Sequence, residues 1–182
     1  MKNPKRAAPR AIIDNLAIIG DRRQRETQAH SVTGFFSGKP LDGAGHDYAS
    51  TLQFLASYDG STATFNAYRR ELERLLQWSW CIRQTSIHKL TREDIVEFIS
   101  FMQNPPIAWI GTKNVARFTV RDGVRAPNPE WRPFVVTVPK AEFRAGIAPD
   151  KKHYNPSQAS VRATFKEKWY RLVGQLSGGV KV

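Results

Sequence analysis

The sequence predicts a mainly α domain of four helices, with an irregular insertion before the last helix that has room for a small β-hairpin. Three observations predict it. Residues 46–103 carry three apolar patterns at helical spacing, one after another, with short connections. Residues 157–176 carry a fourth such pattern. Between them, residues 104–156 hold eight of the eleven prolines, and proline stops helices because it lacks the N–H and clashes with the preceding turn.

Residues 1–45 read as a basic, flexible N-terminal extension whose apolar patches are Ile12–Ile19 and Phe35-Phe36, with a short helix admissible around residues 11–18. The first core helix is predicted from Asp47 to Tyr58, with Leu52, Leu55 and Tyr58 three residues apart and Phe54 beside them. Asp59-Gly60-Ser61 ends it and supplies Ser61 as a cap for the next. The second helix, Thr62 to Cys81, places Phe65, Tyr68, Leu72, Leu75, Leu76 and Ser79 on one arc over five turns. The third starts at Thr91, where T-R-E-D combines a capping side chain with acids in the first turn. Ile95, Phe98, Ile99 and Met102 follow at helical spacing, and Pro105-Pro106 stops the pattern.

The insertion, residues 104–156, alternates at Phe118/Val120 and again at Phe134/Val136/Val138, which predicts a hairpin between those two stretches. Asn155-Pro156-Ser157 then leads into the fourth helix, whose shared face is Val161, Phe165, Trp169, Leu172, Val173 and Leu176. Gly178-Gly179 ends it, and residues 177–182 form a tail.

The chain has 182 residues, 28 Lys and Arg against 16 Asp and Glu, and a net charge of +12. That length suits one domain with appendages. The charge favours a polyanionic partner, although a solvated basic surface would give the same count. The field is uneven: residues 1–45 net +4, residues 46–103 net −1, residues 104–156 net +5, and residues 157–182 net +4. The three-helix centre is therefore close to neutral. No run of 18 apolar residues occurs, so no membrane span is expected. The N-terminal stretch is broken by Asp14 and Asn15 and makes a poor secretory signal. A single cysteine, Cys81, excludes an internal disulfide framework and suits a reducing, cytoplasmic location.

On the second helix, Asn66, Arg70 and Arg74 recur every four residues beside the apolar arc. Such a stripe suits a DNA groove, with Arg on phosphates or guanine edges and Asn on phosphates or adenine edges. It equally suits an exposed flank whose Arg70 and Arg74 pair with Glu71 or Glu73. Trp78, Trp80, Trp109, Trp131 and Trp169 fit packing at helix ends better than base stacking. Catalysis finds little support. None of His30, His46, His88 and His153 has a second His or Cys at metal-ligand spacing in the chain, so no metal and no cofactor is expected. No Gly-rich phosphate loop and no G-x-S-x-G occurs. Cys81, between Trp80 and Ile82 on a helix, reads as buried packing.

The stretch Phe54 to Trp78 resembles the opening of the tyrosine recombinase (phage integrase) core-binding, SAM-like domain. The family's pattern of S, T, Y, L, L and W falls here on Ser61, Thr64, Tyr68, Leu72, Leu75 and Trp78. Leu90 to Met102 is similar to the family's next helix, and Ser157 to Phe165 to the start of its fourth. The resemblance spans residues 46–165, with residues 104–156 as an insertion. It implies a domain, residues 46–176, that clamps one face of double-stranded DNA with its second and fourth helices. The contacts it implies are Asn66, Arg69, Arg70 and Arg74, then Arg162 and Lys166. The family's catalytic domain adds Arg, Lys, His-x-x-Arg and a nucleophilic Tyr, and these residues contain no such set. The expected protein is thus a non-catalytic DNA-binding part of a truncated or partial recombinase of a mobile element, with other recombinase subunits as further partners. The competing expectation is a helical interaction module for a recombinase or another acidic partner. A nucleic-acid enzyme is disfavoured, because no acid/base cluster is visible in the sequence.

Overall fold

Helices follow the apolar periods of the sequence closely. The structure, a computed structural model, describes residues 9–20, 32, 35–36, 40–58 and 60–156. The described helices are α1 (Leu16–Gly20), α2 (Ala44–Ala56), α3 (Thr62–Trp78), α4 (Arg92–Gln103) and α5 (Lys140–Arg144). The described strands are β1 (Ile110–Gly111), β2 (Phe118–Arg121), β3 (Val124–Pro127) and β4 (Phe134–Val135). The described part is mainly helical, as expected. The predicted fourth helix, residues 157–176, lies outside the described residues.

Side-chain caps set the starts of α3 and α4. Ser61 Oγ accepts the Thr64 N–H at 3.3 Å at the head of α3. At α4 the Thr91 hydroxyl accepts the Asp94 N–H at 3.3 Å while Asp94 Oδ2 accepts the Thr91 N–H at 2.8 Å, a reciprocal capping box. α3 does not stop at Trp78. It widens into a π-helical turn, Ser79–Arg83, that ends on left-handed Gln84 at φ 54°. Burial is continuous from Leu75 at the end of α3 to Cys81 in the wider turn, so this end of the helix is enclosed on all sides.

The core joins Leu52, Phe54 and Leu55 of α2 to Phe65, Leu72, Leu75, Leu76 and Trp78 of α3, and to Phe98 and Met102 of α4. Trp78 meets Phe98 with ring centroids 5.2 Å apart. Tyr68 and Ile95 pack on the edge of this core and are only partly buried. Trp80, Trp109 and Trp131 are buried as well.

Two expectations are corrected. The sequence places the segment before α1 in a flexible extension, yet Ala11, Ile12 and Ile13 are core residues. Their backbone has no helical or sheet partners and is satisfied by side chains instead: Glu73 Oε1 accepts the N–H of Ile12 at 2.6 Å and of Ile13 at 3.0 Å, and the Tyr48 hydroxyl donates to the Ile12 carbonyl at 2.8 Å. The hairpin also has a different partner. β2 pairs antiparallel with β3, with Val120 opposite Arg125, through the two-residue turn Asp122-Gly123. Both turn residues have positive φ, 50° and 76°, the condition for a hairpin turn whose twist matches the strands. Phe134–Val135 instead runs parallel to Ile110–Gly111. Among the described residues no helix is long and apolar enough to cross a membrane.

Candidate functional site

The predicted DNA-facing flank of α3 divides in two. Asn66 is exposed, and Arg70 keeps 53% of its side chain exposed while pairing with Glu71 at 2.8 Å. Arg74 is only 17% exposed and is held on all sides. Its Nη2 and Nε donate to the Pro133 carbonyl at 2.7 and 2.9 Å, its Nη1 meets the Glu71 carboxylate at 3.1 Å, and its guanidinium lies 4.5 Å from the Phe134 ring centre. Arg69 is also turned inward: Nη1 donates to the Asp14 carbonyl at 2.9 Å and the guanidinium sits 5.4 Å from the Phe65 ring centre. Burial lowers its pKa to about 10, with the charge of Arg117 adding to the effect and Glu73 and Asp14 opposing it.

Arg69 and Arg74, expected on the DNA-facing flank, are thus turned inward in this fold. Both border the apolar arc, and the N-terminal segment and the Pro133-Phe134 strand cover that border. Arg162 and Lys166 lie outside the described residues.

Asp14 and Glu73 sit at the centre of a cluster of inward-facing charge. Both are almost fully buried acids. Arg125 of β3 makes a two-pronged bond to Asp14, Nε to Oδ2 at 2.6 Å and Nη2 to Oδ1 at 2.8 Å. That bond holds the Arg125 pKa above its ordinary value. Arg117, just before β2, pairs with Glu73 and lies 4.6 Å from the centre of the Trp131 ring. The hairpin is thus clamped to the N-terminal segment and to α3. Burial raises the Tyr48 pKa well above its ordinary value, and the nearby charges of Glu73 and Asp14 add to the shift.

Uncommitted positive charge lies elsewhere. Lys113, Arg121, Lys140, Arg144, Lys151 and Lys152 carry no ion pair among the described residues, and all but Lys151 are exposed. All six belong to residues 104–156, whereas the helical centre adds Lys89 and Arg92, which are likewise exposed and without an ion pair among the described residues. By contrast, Arg83 on the α3 extension is spent on Asp94 and Glu97.

The fold also assembles a group that sequence spacing hid. His46, in the first turn of α2, and His88, in the single 3-10 turn Ile87–Lys89, bring Nδ1 and Nε2 to 3.0 Å. Buried Asp47 lies beside them, with Oδ1 3.7 Å from His88 Nε2. The facing ligand atoms of the three residues all fall within 4.8 Å of one another. No linear motif could reveal this, because the two histidines are 42 residues apart. Cys81 is buried, and desolvation pushes its thiol up to about 12, so it offers no thiolate nucleophile near neutral pH.

No family model, curated protein or solved structure matched this chain.

Proposed function

We propose that this chain binds double-stranded DNA as the core-binding (SAM-like) domain of a tyrosine recombinase-type protein, in a DNA integration or site-specific recombination context, and that these residues perform no catalysis themselves. The observation that carries the reading is the separation of charge: a helical centre, residues 46–103, that nets −1, and an insertion, residues 104–156, that nets +5 and holds six cations without an ion pair among the described residues. Unpaired Lys and Arg can replace the counterions on phosphates without breaking internal bonds. The sequence resemblance across residues 54–102 supplies the recombination context, and two of the stretches that carry it fall on α3 and α4.

The DNA face moves relative to the sequence expectation. Arg74 and Arg69 serve the fold. Asn66 and Arg70 remain accessible on the α3 flank, and an exposed pair such as Arg70–Glu71 exchanges readily for a phosphate. The insertion supplies the larger part of the field. A cytoplasmic location and association with other recombinase subunits belong to the same reading.

Fluorescence anisotropy with several duplexes over a salt series tests it. Binding should be detectable at low salt, weak at physiological salt, little dependent on sequence, and steeply salt-dependent. Absence of binding at low salt would remove the reading. In that case the interaction-module alternative takes its place, favoured by Val120, Val124, Phe143 and Ile147, which are exposed on the same basic segment.

A further inference from the structure

We propose that His46, His88 and Asp47 form a binding site for a borderline divalent transition-metal ion, with Zn²⁺ as the best match. The three residues come from two separate places, the first turn of α2 and the short turn between the α3 extension and α4. Two imidazole nitrogens on one tetrahedral zinc, each about 2.0–2.1 Å from the ion, stand roughly 3.3 Å apart. The facing nitrogens here are 3.0 Å apart and the third ligand atom is 3.7 Å from His88 Nε2. Small side-chain rotations meet the zinc distances.

Asp47 is fully buried and is held from three directions. Its Oδ2 accepts the Trp80 indole N–H at 2.8 Å and the Ile87 backbone N–H at 3.1 Å, and its Oδ1 accepts the Ser86 hydroxyl at 2.5 Å. Those bonds fix the carboxylate in place and leave a lone pair of Oδ1 on the histidine side. Outer bonds of this kind orient metal ligands and keep them ready. The backbone is shaped for the approach too. Gly43, at φ 87° just before α2, lies so close to Ser86 that a Cβ there would come within 3.1 Å of its Cβ.

Two nitrogen donors and one carboxylate suit Zn²⁺, Co²⁺ or Ni²⁺ better than Mg²⁺ or Ca²⁺, which prefer all-oxygen shells. His46 is exposed, so the ion enters from solvent and keeps water in the remaining position. This is the arrangement of three protein ligands with one open place. The bound ion would tie the start of α2 to the turn before α4. The site stands independently of DNA binding, because none of its residues is among the proposed DNA contacts.

The test uses the untagged full chain, titrated with ZnCl₂ and with CoCl₂. Zinc should raise Tm progressively with concentration, since it binds the folded state. Cobalt should give visible ligand-field bands of tetrahedral intensity. H46A changes an exposed side chain and should keep the fold while weakening zinc binding at least tenfold and removing the cobalt bands. H88A should do the same, and H153A, outside the cluster, should behave as the parent. If the parent gives no Tm rise and no cobalt bands, the two histidines are a hydrogen-bonded pair only and the proposal fails. It fails equally if the H46A/H88A double variant binds zinc as tightly as the parent.

Discussion

Glu73 Oε1 accepts the backbone N–H of Ile12 at 2.6 Å, so a carboxylate in the middle of α3 does for the N-terminal segment what a neighbouring strand would do. The same carboxylate takes the Ile13 N–H and pairs with Arg117. Glu73→Ala should leave two backbone donors and one guanidinium without their acceptor. Breaking a buried pair from one side costs roughly 3–5 kcal/mol. Urea denaturation should show a loss of that order, with Glu73→Gln in between, because the amide oxygen still accepts. A loss below about 1 kcal/mol would mean that the N-terminal segment is not held this way.

Arg70 and Arg74 are one turn apart and should behave differently. Arg74→Ala removes bonds to the Pro133 carbonyl and the stacking on Phe134, and should cost about 1–3 kcal/mol. Arg70→Ala removes one exposed ion pair and should fall within about 0.5 kcal/mol of the parent. Equal losses in chemical denaturation would contradict the buttress role of Arg74.

DNA binding should respond to the insertion more than to Arg74. Lys151→Ala with Lys152→Ala should flatten the dependence of log K on log salt by about one unit for each side chain that meets a phosphate. Lys140→Ala with Arg144→Ala should act in the same direction. Arg74→Ala, measured where the variant remains folded, should leave the slope unchanged. A slope that falls with Arg74 and not with the lysines would return the DNA face to α3.

Stability should decline on the alkaline side. Cys81 and Tyr48 both have raised pKa values in the fold, Cys81 to about 12 from an ordinary value of 9.0 and Tyr48 from 10.0. A raised folded value means that stability is full below the unfolded pKa and is lost as pH climbs toward the folded one. The decline should therefore begin near pH 9 through Cys81 and steepen above pH 10 through Tyr48. Each contributes about 1.4 kcal/mol per pH unit within its window. Cys81→Ala should remove the part that starts near pH 9, as read by denaturant midpoints across pH. An unchanged profile in that variant would contradict a protonated, buried thiol.

The helices were legible because burial and 3.6-residue spacing are the same fact seen twice: Leu72, Leu75 and Leu76 share a buried face of α3, and Phe98 and Met102 one of α4. Ser61 and Thr91 announced their starts through local side-chain chemistry. The π-helical turn was not legible, since Ser79 and Cys81 sit inside a pattern that reads equally well as ordinary helix. The hairpin signal is of shorter range than the alternation suggests. Asp122-Gly123 between Val120 and Val124 is a short-range turn signature, whereas the alternation at Phe134 pointed to a more distant partner. The inward turn of Arg69 and Arg74 and the meeting of His46 with His88 depend on contacts between residues 42 to 59 apart, and spacing along the chain carries no trace of them.

The clamp on the N-terminal segment also sets a timetable. Asp14 and its partner Arg125 are separated by 111 residues. A ribosome adding roughly 5–20 residues per second makes the first wait some 5–20 s for the second. For about the first half of that interval Ile12 and Ile13 lack Glu73, and for all of it they lack the hairpin. α2, α3 and α4, whose contacts are closer in the chain, can assemble first. This apolar segment is thus among the last parts of the fold to be locked, and the nascent chain carries it uncovered until the arginines of the hairpin arrive.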